Sequence, residues 1–281
     1  MKIITLIENI NNDSKDLINE HGLCLYIEKD NKRILFDTGR TDAFITNARR
    51  LGVPLEDIDI VVISHGHCDH GGGLLSFLKI NNKAKVYMKR EASKDYYFHY
   101  MLFNKSVGID KKVFKEYSSR INYIDSFSEI AENIYIITDI DKSYKAPKGN
   151  NYLYSREEDK LTKDKFKHEL IMVIKEQDGI CIFTGCSHNG AANMIQASKN
   201  AFPNVNIKAI IGGFHLIKLP IIKSLSSSQD EINVITEKII SENIEKVYTG
   251  HCTGEKAYKT LKGILGDRIE YIKTGTMVYI K

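Results

Sequence analysis

The stretch Ser64-His65-Gly66-His67-Cys68-Asp69-His70-Gly71-Gly72 constrains this chain more than any other, because it packs three imidazoles and a carboxylate into a short, glycine-flanked turn. Imidazole nitrogen and carboxylate oxygen are the donors preferred by Zn²⁺ and by iron or manganese. His at i, i+2 and i+5 with Asp at i+4 can face two adjacent ions. The preceding run, Ile58-Asp59-Ile60-Val61-Val62-Ile63-Ser64, is β-branched and almost wholly apolar. That is the pattern of a buried strand delivering the histidines at its C-terminal end. The bland alternative is a polar loop that happens to be rich in His, but buried strands seldom end in clustered imidazoles with nothing to bind.

Three further apolar runs end the same way. Residues 180–184 lead into Gly185-Cys186-Ser187-His188, 207–211 into Gly212-Gly213-Phe214-His215, and 244–248 into Thr249-Gly250-His251. Strand ends with room for close backbone approach are where α/β proteins assemble sites, so four such endings predict one rim lined by imidazoles. Helical spacing is expected over 42–51, 73–80, 190–201 and 256–264, and Ser228-Gln229-Asp230-Glu231 is a capping box opening a helix through Ile240. Strands alternating with amphipathic helices at both ends of the chain imply sheets with helices outside.

Composition bounds the remainder. A chain of 281 residues with 42% hydrophobic content suits one large α/β domain, 1–281, with an inserted or lid-like region around 89–167. No apolar run approaches the ~20 residues needed to cross a bilayer, and Glu8 ends the first apolar stretch with no cleavage site after it. A cytoplasmic protein with no membrane role is expected. The five cysteines lack CxxC spacing, which argues against a disulfide framework. With a net charge of +4 and dispersed Lys and Arg, nothing supports nucleic-acid binding, and oligomeric state is left open.

Within 89–167, the aromatic run 96–103 reads as the packing face of an inserted helix, with a substrate-facing wall as the alternative and His99 as structural. Residues 141–167 are lysine-rich and contain Pro147 and Gly149. They read as a mobile surface loop or, functionally, as a lid over an anionic substrate. In the hairpin around Gln177-Asp178-Gly179, symmetric pairing would set His168 across from the 186–188 end, so that His168 or Glu169 could reach the same rim.

On these residues the sequence resembles the metallo-β-lactamase superfamily, whose His-x-His-x-Asp-His hallmark matches His65, His67, Asp69 and His70. Asp37 in Phe-Asp-Thr-Gly, by itself only a turn former, falls where that superfamily keeps a strand-end aspartate supporting the metal site. Glu20-His21-Gly22, Gly185-Cys186-Ser187-His188, Gly212-Gly213-Phe214-His215-Leu216 and His251-Cys252-Thr253-Gly254 look like one branch of it. That branch is typified by archaeal dihydropterin ribofuranosylaminobenzene phosphate synthases and related bacterial metallo-hydrolases. The resemblance implies an αββα sandwich of two mixed sheets with helices on the outer faces, and a dinuclear site. His65, His67 and His188 would hold one divalent ion and Asp69, His70 and His251 the other, with Zn²⁺ ahead of Fe or Mn. Asp37, His168 and Cys186 would support them, and Glu20 and His21 would lie near the substrate. The family's Thr-Gly-Asp bridge is absent, since Cys186 follows Thr184-Gly185; either Cys186 approaches the ions as thiolate or water and substrate oxygens bridge them, and the second is expected.

Such a site implies a hydrolase acting through a metal-activated hydroxide, with Asp69 accepting a proton and His215 polarising the substrate or protonating the leaving group. The substrate expected is a small anion, a phosphoester ahead of a lactone or amide. The competing readings are a synthase acting on a dihydropterin diphosphate and a non-catalytic metal-dependent sensor.

Overall fold

The computed structural model describes every residue except 13–15, 141, 159, 220–221 and 226–227; the side chains of 218–227 also lie outside the description. The start of the lysine-rich segment, Asp141, falls among the undescribed residues. Contacts divide the chain into two compact units. The first comprises Met1–Ile124, Leu153–His168 and Ile272–Lys281, and the second Asp125–Tyr152 and Glu169–Tyr271.

The first unit is built on a seven-stranded mixed sheet in the order Met277–Tyr279, Lys2–Ile7, Cys24–Lys29, Lys32–Phe36, Ile60–Val62, Lys85–Met88, Ile121–Tyr123. The first four strands pair antiparallel and the last four parallel, sharing Lys32–Phe36. Parallel strands buried on both faces explain why 58–64 reads as continuous apolar sequence. The helices Ala43–Arg50 and Leu74–Ile80 place Phe44, Ala48, Leu74, Phe77 and Leu78 in a core with Leu35, Val61 and Val86.

The second unit has the same plan. Its seven strands run Ile269–Tyr271, Lys246–Thr249, Ile207–Gly212, Gly179–Phe183, Ile171–Glu176, Ile134–Ile137, Ser128–Ala131. Here too the pairings are three parallel and three antiparallel. Ala191–Ala201, Gln229–Ser241 and Glu255–Leu265 are its helices, burying Met194, Ile195, Ile232, Ile239 and Leu261 with Ile182, Ile210 and Val247. The Glu231 carboxylate accepts the Ser228 backbone N–H at 2.8 Å, closing the expected capping box. No helix among the described residues is long and apolar enough to cross a membrane.

Two expectations for 89–167 are corrected. The aromatic run is a hairpin, Tyr96–Tyr100 with Phe103–Ser106, rather than a helix. Consecutive Tyr and Phe favour the pleated conformation, and eight large side chains in a row offer no 3.6-residue polar face. Tyr96 is buried, its ring 4.1 Å from that of His168 and 5.6 Å from that of His67, while Leu102 at the tip is fully exposed. Part of the lysine-rich segment is also ordered as sheet rather than loop. Leu153–Glu157 pairs with Tyr96–Tyr100 on one side and Lys160–Lys163 on the other, making a four-stranded sheet in the first unit. Lys163 lies over the Tyr154 ring at 4.1 Å.

Candidate metal centre

In the first unit the strand Ile60–Val62 leads into Ser64 and the histidine motif, and Asp37 holds that motif in place. Its carboxylate is fully buried at the end of the neighbouring strand. Oδ1 accepts the Ser64 N–H at 2.8 Å, and Oδ2 accepts the Ser64 hydroxyl at 2.7 Å and His70 Nδ1 at 2.6 Å. These bonds fix two tautomers. His70 must carry its proton on Nδ1 to reach a carboxylate. Because the Ser64 hydroxyl hydrogen is spent on Asp37, Ser64 Oγ accepts from His65 Nδ1 at 2.8 Å. Both rings therefore present Nε2 as a lone pair, the arrangement that outer hydrogen bonds impose on metal-ligating histidine. The His65 ring centroid stands 4.2 Å from that of His70 and 4.7 Å from that of His67. Burial, together with the neighbouring His70, His67 and His168, holds the His65 imidazole well below its ordinary pKa, so it stays neutral. Asp69 Oδ2 lies 3.2 Å from His21 Nε2 and 4.0 Å from His70 Nε2.

His168 has both nitrogens engaged. Nδ1 accepts the Gly66 N–H at 2.8 Å, and Nε2 meets Asp164 Oδ2 at 2.9 Å. That leaves no lone pair for a cation, in keeping with a supporting role. Asp164, inconspicuous in the sequence among lysines, also stands 3.8 Å from His67 Nε2. Burial opposes its ionisation, but hydrogen bonding to His168 and His67 outweighs burial and holds the carboxyl well below the usual range. No spacing signal marks it; only the strand pairing brings residue 164 to the motif. The Glu20 carboxylate is turned onto its own unit, accepting Arg40 N–H, Thr41 N–H and the Thr41 hydroxyl at 2.8 to 2.9 Å. Cations close enough to act on the motif include Arg40 and Lys105 at Cys68 and Lys89 at His168.

In the second unit the hairpin pairs Glu176 with Gly179 and Met172 with Phe183. Continued outward, that register carries Glu169 to the turn after Gly179–Phe183. Glu169 Oε1 accepts the His188 N–H, and Oε2 accepts the Asn189 N–H and side-chain amide, at 2.7 to 2.8 Å. Burial raises the Glu169 pKa to about 7 despite these bonds. His188 Nδ1 lies 2.9 Å from Asn150 Oδ1, whose orientation is fixed because Asn150 Nδ2 donates to the His188 carbonyl. His188 is thus a third histidine protonated on Nδ1 with Nε2 as its lone pair. His251 is buried at the end of Lys246–Thr249, and its ring influences the adjacent Cys252. Ser187, His215 and His251 all adopt left-handed backbone, with φ of 59°, 47° and 50°. Strain of this kind collects at functional sites. Burial opposes ionisation of Cys252, but hydrogen bonding to Cys186 and the nearby His251 and His215 draw its thiol well below the ordinary value. No disulfide is present among the described cysteines.

The donor chemistry of each unit fits a borderline divalent cation: imidazoles held at Nδ1 by outer hydrogen bonds, a partly exposed carboxylate at Asp69, and carboxylate or amide groups behind the rings. Comparison with known proteins agrees. The chain is 28% identical, over 99% of its length and 96% of the relative's, to 7,8-dihydropterin-6-methyl-4-(beta-D-ribofuranosyl)-aminobenzene-5'-phosphate synthase of Methanocaldococcus jannaschii. It is 33% identical, over 88% of its length and 89% of the relative's, to protein MJ0448 of the same organism. Among solved structures it matches Tm1679, a metal-dependent hydrolase of the beta-lactamase superfamily, with a TM-score of 0.84 and 30% identity over 100% of this chain and 99% of that one. Residues 18–189 match the metallo-beta-lactamase superfamily model. With its two mixed sheets, its helices and its histidine clusters, the chain belongs to the metallo-β-lactamase superfamily.

Proposed function

We propose that the protein is a metal-dependent hydrolase of a small anionic substrate, a phosphoester before a lactone or amide. The observation that carries this reading is the shared tautomer of His65, His70 and His188, each donating from Nδ1 to a fixed acceptor and keeping Nε2 for a cation. We assign His65, His67 and His188 to one ion and Asp69, His70 and His251 to a second, Zn²⁺ ahead of iron or manganese. Divalent ions so held supply Lewis acidity, polarising a phosphoryl oxygen and lowering the pKa of a water.

The chain's own groups do the rest. Asp69, whose side chain is 16% exposed, accepts a proton from the attacking water, and His21 at 3.2 Å, 30% exposed, passes it toward solvent. Asp37 holds His70 directly and His65 through Ser64, so that neither ring turns during the reaction. Arg40, Lys89 and Lys105 make the motif's surroundings positive and draw anions toward it. Glu20 shapes the 40–41 turn that carries Arg40.

A synthase reading is favoured by one finding, the full-length similarity to an archaeal synthase. A panel of phosphomonoesters, phosphodiesters, neutral lactones and a dihydropterin diphosphate, assayed with Zn²⁺, Mn²⁺ and Fe²⁺, separates the two. Phosphoester hydrolysis that disappears in His67→Ala together with bound metal supports the hydrolase. Diphosphate release that occurs only with an acceptor present, and no hydrolysis of any ester, replaces it with the synthase.

A further inference from the structure

The second unit brings together three groups that the proposed ion assignments leave over. The strands Gly179–Phe183 and Lys246–Thr249 lie on either side of Ile207–Gly212, in parallel register with it. Strands two places apart are separated by roughly 9.6 Å, too far for short side chains to meet within the sheet. Beyond the sheet the central strand ends in Gly212-Gly213, and the missing side chains open a gap over its end. A Cβ on Gly213 would run into the Cys252 sulfur. Through that gap Cys186 Sγ, Cys252 Sγ and a ring nitrogen of His215 lie within 4.8 Å of one another. Both cysteines are buried. Both His215 ring nitrogens are also buried, with no conventional hydrogen bond among the described residues; the ring interacts instead with the Cys252 thiol. The His215 backbone is strained at φ 47°, and its N–H donates to Cys252 Sγ at 3.3 Å.

We propose that Cys186, His215 and Cys252 form a second kind of metal site, a two-thiolate, one-imidazole site for Zn²⁺ with its fourth position open. Two thiolates and a neutral imidazole carry a charge of −2. A divalent ion neutralises this where Cu⁺ would leave a buried net charge. Tetrahedral zinc with Zn–S of ~2.3 Å needs sulfurs ~3.8 Å apart, within reach of small side-chain shifts from the present spacing. Binding releases both thiol protons to solvent and leaves the sulfurs' oxidation state unchanged. The assignment makes His215 a ligand rather than the leaving-group acid expected from the sequence. It does not depend on the hydrolase reading.

Cobalt substitution of the reduced protein reads the site directly, because only sulfur ligation gives a strong near-ultraviolet charge-transfer band. We expect that band in the wild-type protein and in the His65→Ala/His67→Ala variant. It should be lost in Cys186→Ser and in Cys252→Ser, and His215→Gln should weaken cobalt binding at least 10-fold. Zn²⁺ should slow alkylation of both thiols in the wild-type protein at least 10-fold, a readout that needs no variant to fold. Absence of the band, or unprotected thiols at saturating Zn²⁺, overturns the proposal. So does a band that needs Cys186 but survives Cys252→Ser and His215→Gln, which would place one sulfur on another centre. Absence of phosphoester hydrolysis by the metal-loaded wild-type protein, with the band intact, would sink the hydrolase reading alone.

Discussion

The two units reach the same chemistry by different means. In the first, the donors come from one short stretch and are set by a buried carboxylate: Asp37 fixes His65 through Ser64 and His70 directly. In the second, the donors come from three separate strand ends, and left-handed backbone at Ser187, His215 and His251 aims them. A contiguous motif can be oriented by a few strong hydrogen bonds. A dispersed one depends on sheet register and on backbone strain that the surrounding packing must sustain.

The comparison breaks most visibly at Asp37. Asp37→Ala removes an acceptor for two Ser64 groups and for His70, all buried, so we expect a loss of about 3–5 kcal/mol, the range for stripping one partner from a buried charged network. Urea unfolding of metal-free protein measures this, and bound metal should fall with it. An unchanged midpoint would mean that the first unit does not rest on that carboxylate.

Glu169→Gln tests the second unit's counterpart. The amide keeps one acceptor and presents a donor to a backbone N–H, so about 1–2 kcal/mol should be lost. The Glu169 pKa near 7 also gives a sign to check. Its folded-state value lies above the ordinary 4.5, so the native chain holds the extra proton. Metal-free protein should therefore lose stability as pH rises from about 4.5 to about 7. Glu169→Gln should flatten that slope, and a wild-type slope of opposite sign would show that the hydrogen bonds to His188 and Asn189 outweigh burial.

The smallest effect is expected at Asp59, at the start of the strand that carries the motif. Burial opposes its ionisation, but the Arg33 N–H at 3.0 Å and Lys83 Nζ at 2.9 Å hold its carboxyl below the ordinary value of 3.8. Its stabilisation is present above pH ~4 and is lost as pH falls below it. Asp59→Asn should cost under about 1 kcal/mol at neutral pH, given the partial exposure of the pair. Thermal melts at pH 7 and pH 3 would measure it, the variant gap closing in acid; a gap that persists at pH 3 would assign the effect to the backbone contact instead.

Elements whose cause is local are legible in the sequence. The apolar strand before Ser64, the helix opened by Ser228 and Glu231, the hairpin at 177–179 and the histidine motif each carry their signal within a few residues. Together they were enough for the fold family. The hairpins at 96–106 and 153–163 are less legible: each pairs with its own neighbour in sequence, but aromatic and lysine-rich composition fits more than one conformation until the long-range pairing of Leu153–Glu157 with Tyr96–Tyr100 selects one. Tertiary structure alone decided that Asp164 stands beside His67, that Glu169 rather than His168 grips the His188 turn, and that Cys186 and Cys252 meet over Gly213. Each of these depends on strand register, and register is set by side-chain packing across whole sheets, so a residue's neighbours in the site are not encoded in its neighbours in the chain.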